Sequence, residues 1–212
     1  MVMNKKIYAA KKSIIMQKKF YLFLITLMTT GIIAGIIFIF FLNKNDKSNV
    51  TQEVQNFFNL VKVSEGVNYS KSLLNTLLIN IGYVLLIWLL GISVIGFPII
   101  LAILFMKSFI FGFSVSSIIS TYGFKGILAA ILYNFPHNII LMLLYLLLGF
   151  YSLSFCYKLF CHLFLKKSIN FSSGMNKYLK ILVISIIVTI LVSLYEVFLS
   201  TYFIKLFTIL IK

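Results

Sequence analysis

The chain has 212 residues, 61% of them hydrophobic and 11% charged, with a mean hydropathy of +1.07 and a net charge of +15. Soluble domains are about a quarter charged, so this composition excludes a chain built to face water and points to an all-α polytopic membrane protein. The cations are all lysines, and Asp46, Glu53, Glu65 and Glu196 are the only acids. Because the lysines gather at the ends of apolar segments, they read as topology signals and contacts for anionic lipid headgroups, with no nucleic acid as partner.

Residues 1–19 carry Lys5, Lys6, Lys11, Lys12, Lys18 and Lys19 in three doublets, a basic cytoplasmic arm. The apolar run 20–42 is long enough to cross a bilayer at about 1.5 Å per residue. It is too long for a signal-peptide core and is followed by no small-residue cleavage site, so it reads as an anchor that stays. Gly31 and Gly35 give it a G-x-x-x-G face that lets another helix come close, and packing within the chain is expected over dimerisation. The outer loop 43–76 follows. In it Val54, Phe57, Phe58 and Val61 share one helical face, with Gln52, Glu53, Gln55, Asn56 and Lys62 on the other. This suits a short amphipathic helix on the membrane or against a partner, stopping at Glu65-Gly66.

The second span is expected at 77–97 and the third at 99–120, joined by a broken or re-entrant hairpin near Pro98. The stretch from Trp88 to Pro98 contains Gly91, Ser93 and Gly96, the only tryptophan and one of two prolines, inside nearly unbroken apolar sequence. Such residues break or sharply turn a helix in lipid. In the third span Ser108, Gly112, Ser116 and Ser120 recur at fourfold spacing, a small-residue ridge for helix packing. Lys107 lies on a different face about two turns in from an end. A lysine at mid-bilayer costs roughly 2.5–3.5 kcal/mol, so this one is expected to snorkel.

Tyr133-Asn134-Phe135-Pro136-His137-Asn138 interrupts the next apolar run. Proline disfavours helical geometry at Phe135, which makes 126–135 an interfacial or re-entrant segment and 137–158 the fourth span. His137 and Asn138 need polar partners if buried. Cys156 and Cys161, five apart, suggest neither a disulfide framework nor a metal site, and nothing implies a cofactor. The fifth span is expected at 181–203, with Ser185, Thr189, Ser193, Glu196 and Ser200 on one face. A polar stripe of this kind belongs inside a bundle or against a protein partner. The whole chain thus reads as one integral membrane domain. Eleven lysines on the amino-terminal side of the membrane against seven on the other favour a cytoplasmic amino terminus and an external carboxyl terminus.

The run Leu-Ile-Trp-Leu-Leu-Gly-Ile-Ser-Val-Ile-Gly-Phe-Pro-Ile-Ile-Leu at 86–101 and Phe-Met-Lys-Ser-Phe-Ile-Phe-Gly-Phe-Ser at 105–114 resembles the stage II sporulation protein M family. So do Asn-Phe-Pro-His-Asn at 134–138 and Leu-Tyr-Glu-Val-Phe-Leu-Ser at 194–200, and the resemblance covers essentially the whole chain. It implies an endospore former and a non-catalytic membrane scaffold for septal thinning and forespore engulfment. The partners it implies are the peptidoglycan hydrolases, stage II sporulation proteins D and P, acting at the mother-cell membrane of the septum. It leaves the oligomeric state open.

Two other classes compete. A small-molecule or ion transporter would use broken helices and buried charges such as Glu196 as a substrate site, but no inverted repeat is evident. An intramembrane serine protease would use Ser93 with His137 as base, yet Val94 stands where the oxyanion region needs glycine. Ser93 is expected instead to satisfy a backbone carbonyl beside the bend, whereas Glu196 is the best functional candidate, with a structural pair to Lys107 or His137 as its alternative.

Overall fold

A computed structural model describes residues 2–63, 69–165 and 171–200. Among these the chain is helical, with no strand: α1 (Val2–Phe41), α2 (Lys44–Val63), α3 (Tyr69–Gly91), α4 (Gly96–Tyr122), α5 (Phe124–Ala129), α6 (Phe135–Leu165) and α7 (Phe171–Tyr195). Two π-helical turns, Ala130–Asn134 and Glu196–Ser200, precede α6 and follow α7. Among the described residues, five segments are long and apolar enough to cross a membrane: Gln17–Phe41, Ser70–Gly91, Gly96–Tyr122, Phe124–Phe164 and Gly174–Phe198. Helices dominate because the bilayer core offers backbone N–H and C=O groups no partner but the chain itself. The expected helix stop at Glu65-Gly66 and the expected end of the fifth span at 201–203 lie outside the described residues.

Two local expectations shift. The break between the second and third spans falls at residues 92–95 rather than at Phe97-Pro98. Pro98 sits in the first turn of α4, where the N–H it lacks has no intrahelical acceptor and its fixed φ suits the helix. Nor does Pro136 interrupt the following segment. Phe135 is helical, with φ −67° and ψ −51°, and 126–135 runs into 137–158 as continuous helix. The π-helical turn just ahead of Pro136 widens the backbone where the proline ring would otherwise meet the carbonyl four residues back. At about 1.5 Å per residue, the 41 residues of Phe124–Phe164 reach about 60 Å, twice the ~30 Å hydrocarbon core, so this element projects beyond the membrane. A tight turn at Gly123, with φ +59°, feeds it from α4.

The closest packing is between α1 and α4. A Cβ on Gly31 would lie 2.8 Å from the Phe105 carbonyl and 2.9 Å from Ser108 Cβ. On Gly35 it would strike the Phe109 carbonyl, and on Gly112 the Ile32 carbonyl. The G-x-x-x-G face of α1 therefore meets the Ser108–Gly112 ridge of α4 backbone to backbone, within one chain. Leu24, Ile87, Ile100, Leu104, Leu148 and Leu153 form the fully buried apolar centre. Leu78, Leu89, Ile184 and Leu191 point outward, as a lipid-facing surface requires.

Helix α2 is seated on its own chain. Phe58 is 2% exposed and packs with Ile118, Ala129 and Ala130, its ring 5.2 Å from Tyr122. Phe57 stands 5.3 Å from the ring of Tyr133. The apolar face expected to meet a membrane or partner thus covers the end of α4 and the π-helical turn before α6.

These contacts set a test. Gly112→Leu forces apart two backbones and is expected to lower stability by about 3 kcal/mol, read as early unfolding in detergent melts. Gly82→Leu, with nothing within 4 Å of its Cβ, is expected to behave as wild type. Equal melts for Gly112→Leu and wild type would contradict the α1–α4 contact.

Candidate functional site

The polar residues of four helices converge in the bundle. Ser193 and Glu196 come from the end of α7 and its π-helical turn, Asn80 from α3, Lys107 and Ser114 from α4, and Asn134, His137 and Asn138 from the turn opening α6. Asn80 donates to Ser193 Oγ at 3.3 Å and to the Glu196 carboxylate. His137 Nε2 is 4.0 Å from Glu196 Oε1. The Asn138 amide donates to Asn134 Oδ1 at 2.6 Å and to the Asn134 carbonyl at 3.0 Å, and its nitrogen lies 2.9 Å from His137 Nε2. Asn134 in turn donates to Ser114 Oγ at 3.1 Å. His137 Nδ1 is buried and faces the Tyr133 carbonyl one turn back without reaching hydrogen-bond geometry.

Lys107 does not snorkel. Its Nζ lies 3.5 Å from the centroid of Tyr83 and 5.6 Å from that of Tyr145, close enough to interact with the Glu196 charge. Two aromatic faces and a carboxylate inside the bundle hold the ammonium more favourably than the climb to an interface. The stripe of Ser185, Thr189 and Ser193 on α7 is buried with it, and Thr189 Oγ1 donates to the Ser185 carbonyl at 2.7 Å.

A second polar cluster clamps the bend at residues 92–95. As α3 ends, Ile92 N–H turns back to the Leu89 carbonyl at 3.1 Å and Ser93 N–H to Leu90 at 3.0 Å. The Trp88 carbonyl thereby loses its helical donor. Tyr178 of α7 supplies one, its hydroxyl 2.7 Å from that carbonyl and 2.8 Å from Ser152 Oγ. Its ring is stacked between Trp88, 5.5 Å away, and Phe155, 4.8 Å away. The Ser93 carbonyl accepts from Gly96 N–H at 3.1 Å and from the Cys156 thiol at 3.2 Å. Gly91 and Gly96 are required by close approach: a Cβ on Gly91 would meet the Tyr178 hydroxyl, and one on Gly96 the Leu90 carbonyl. Ser93 thus acts through its backbone carbonyl, where the sequence suggested its hydroxyl.

The two clusters occupy opposite ends of α6. Ser93 touches Cys156, whereas His137 lies 19 residues earlier on the same helix, about 28 Å away at 1.5 Å per residue. Ser93 and His137 therefore form no catalytic pair. Among the candidates, Lys107, His137, Asn138 and Glu196 are brought together. Trp88, Gly91, Ser93, Gly96 and Pro98 lie at the bend, while Gly31, Gly35, Ser108, Gly112 and Ser116 are buried and Gly31, Gly35, Ser108 and Gly112 meet at the α1–α4 contact. Sequence reasoning passed over Asn80, Ser114, Ser152 and Tyr178, and gave Cys156 no role. A buried amide at mid-span in α3 was the one local signal available, for Asn80. Among the described residues, no three His, Cys, Asp or Glu side chains gather as a metal site.

One family matches, stage II sporulation protein M, over residues 23–201. No curated protein and no solved structure matches the chain.

Two measurements test these clusters. Lys107→Met leaves Glu196 without its cation and is expected to cost about 3 kcal/mol, most of it recovered in Lys107→Met/Glu196→Gln; strictly additive losses would contradict the pairing. Tyr178→Phe keeps the aromatic stack and removes the cap on Trp88, and is expected to cost about 1–2 kcal/mol in the same unfolding assay.

Proposed function

Because this chain belongs to the stage II sporulation protein M family and is a multi-pass membrane protein, we propose that it is a non-catalytic scaffold for peptidoglycan remodelling during engulfment. In this reading it resides in the mother-cell membrane at the sporulation septum, with its amino terminus in the cytoplasm. It gathers the hydrolases stage II sporulation proteins D and P, which cut the wall as the membrane advances around the forespore.

The observation that carries this reading is how the intramembrane polar groups are used. Asn80, Lys107, His137 and Glu196 interact with one another across helices, as structural cross-links do. Interhelical polar contacts in membranes contribute about 0.6 kcal/mol each on average, reaching ~2. A network of them fixes helix positions and so the outer surface offered to partners. A transporter would need the same groups free to exchange a substrate.

Co-purification from sporulating cells tests the proposal. Wild type and Ser93→Ala are expected to retain both hydrolases and support engulfment. Glu196→Leu and Gly112→Leu, at expression levels matched by immunoblot, are expected to lose most of both. Normal co-purification and engulfment by the last two variants would contradict the scaffold role, as would Ser93→Ala failing. Substrate-dependent flux in liposomes abolished by Glu196→Gln would favour transport instead.

A further inference from the structure

The seat of α2 fixes where the bilayer ends. Its apolar side chains pack sideways onto the bundle, Phe58 against Ile118, Ala129 and Ala130, and Phe57 against Tyr133. At about 100° per residue, Gln52, Asn56 and Asn59 fall on the opposite side of the helix, and all three are exposed. They point away from the bundle at the level of Ile118 and Tyr122 on α4 and of Ala129 to Tyr133 ahead of α6. Were that level inside the hydrocarbon, these amides would face acyl chains that offer no hydrogen bond. The hydrocarbon therefore ends below α2.

Helix length places the same edge independently. The 27 residues of α4 rise about 40 Å at 1.5 Å each, some 10 Å more than the ~30 Å hydrocarbon core. Counted from its start at Gly96, about 27 Å of that rise is used by Ser114. Ser114 Oγ accepts from the Asn134 amide at 3.1 Å, so the two residues share one level. Beyond them α4 continues to Tyr122, turns at Gly123 and comes back through Phe124–Ala129 and Ala130–Asn134. This hairpin is packed along its length. A Cβ on Gly126 would lie 2.6 Å from the Ile118 carbonyl, and Gly126 N–H closes the turn on the Gly123 carbonyl at 3.0 Å.

We infer that the edge of the hydrocarbon on the α2 side crosses the bundle at the level of Ser114 and Asn134. Residues 115–133, buttressed by α2, then form a helical cap that stands in water about 12 Å above that edge. The third span ends near Ser114, short of Tyr122. Phe124 and Leu128, on the side of the hairpin away from α2, belong to an aqueous protein surface and not to the lipid-facing one. His137 and Glu196 lie just beneath the edge, and Lys107 about 10 Å deeper along α4. This placement holds whether or not the chain is a scaffold.

The test introduces single cysteines at Leu128 and at Leu143 in full-length Cys156→Ser/Cys161→Ser protein. Within the protein these leucines are equally exposed, 53% and 55%, so membrane depth alone separates them. Each variant is matched to its parent in detergent melts, placed in lipid nanodiscs and treated with a charged, water-soluble maleimide. Leu128→Cys is expected to react at least about tenfold faster than Leu143→Cys, and as fast as Gln55→Cys on α2, because the reactive thiolate forms only in water. Rates at Leu128 and Leu143 within about twofold of each other would overturn the cap. A nitroxide on the same two cysteines gives a second reading. A water-soluble nickel chelate is expected to reach residue 128 and membrane-dissolved oxygen residue 143, and the same preference at both would equally overturn it.

Discussion

Inside a bilayer a polar group has only the protein itself to bond to, and the arrangement of this bundle follows from that constraint. The chain places a lysine, a glutamate, a histidine and several amides in spans that are otherwise apolar. Several draw a partner from a different helix: Asn80 reaches Ser193 and Glu196, Asn134 reaches Ser114, and His137 approaches Glu196. The same rule governs the backbone at residues 92–95. Where α3 ends, its freed carbonyls are taken by turn amides and by the Tyr178 hydroxyl, and the Ser93 carbonyl in the bend accepts from the Cys156 thiol.

Helix α6 connects the two clusters. Its first turn supplies His137 and Asn138, and its later turns supply Ser152 and Cys156. Both π-helical turns lie at the first cluster, one ending in Asn134 and the other opening with Glu196, and they touch each other. A π-helical turn leaves backbone groups loosely paired and often marks a functional position. Here the two turns aim Asn134 and Glu196 inward, and Tyr133 from the same turn supports Phe57 and Phe58 of α2. The polar core, the outer helix and the end of α7 are thereby joined in one packed unit. Such a packed unit suits the scaffold role proposed above.

Much of this was legible in the sequence where the signal was local and periodic. Gly31 and Gly35 announce a close helix contact, and Ser108 with Gly112 announce its complement, because spacing alone places small residues on one face. The helix break was visible in Gly91, Ser93, Gly96 and Pro98, but its position was off by a few residues because proline fits the first turn of a helix as readily as it ends one. Pro136 misled for a related reason: a π-helical turn absorbs it without a break. Long-range pairings left no periodic trace. That Lys107 turns toward Tyr83 depends on α3 and α6 lying beside it, and that Tyr178 caps Trp88 depends on how α7 returns across the bend. The spacing of Cys156 and Cys161 suggested neither a disulfide nor a metal site, and only the fold reveals the Cys156 thiol at the Ser93 carbonyl.

The central claim is that the polar core is a closed structural cross-link and not a water-filled path. Amide hydrogen exchange of the full-length protein in lipid nanodiscs, read for peptides containing Asn80, Lys107, His137 and Glu196, addresses it directly. The account predicts exchange as slow there as at Leu148 and Leu153 in the apolar centre. Rapid exchange confined to those four peptides would reveal water at the cluster and contradict it.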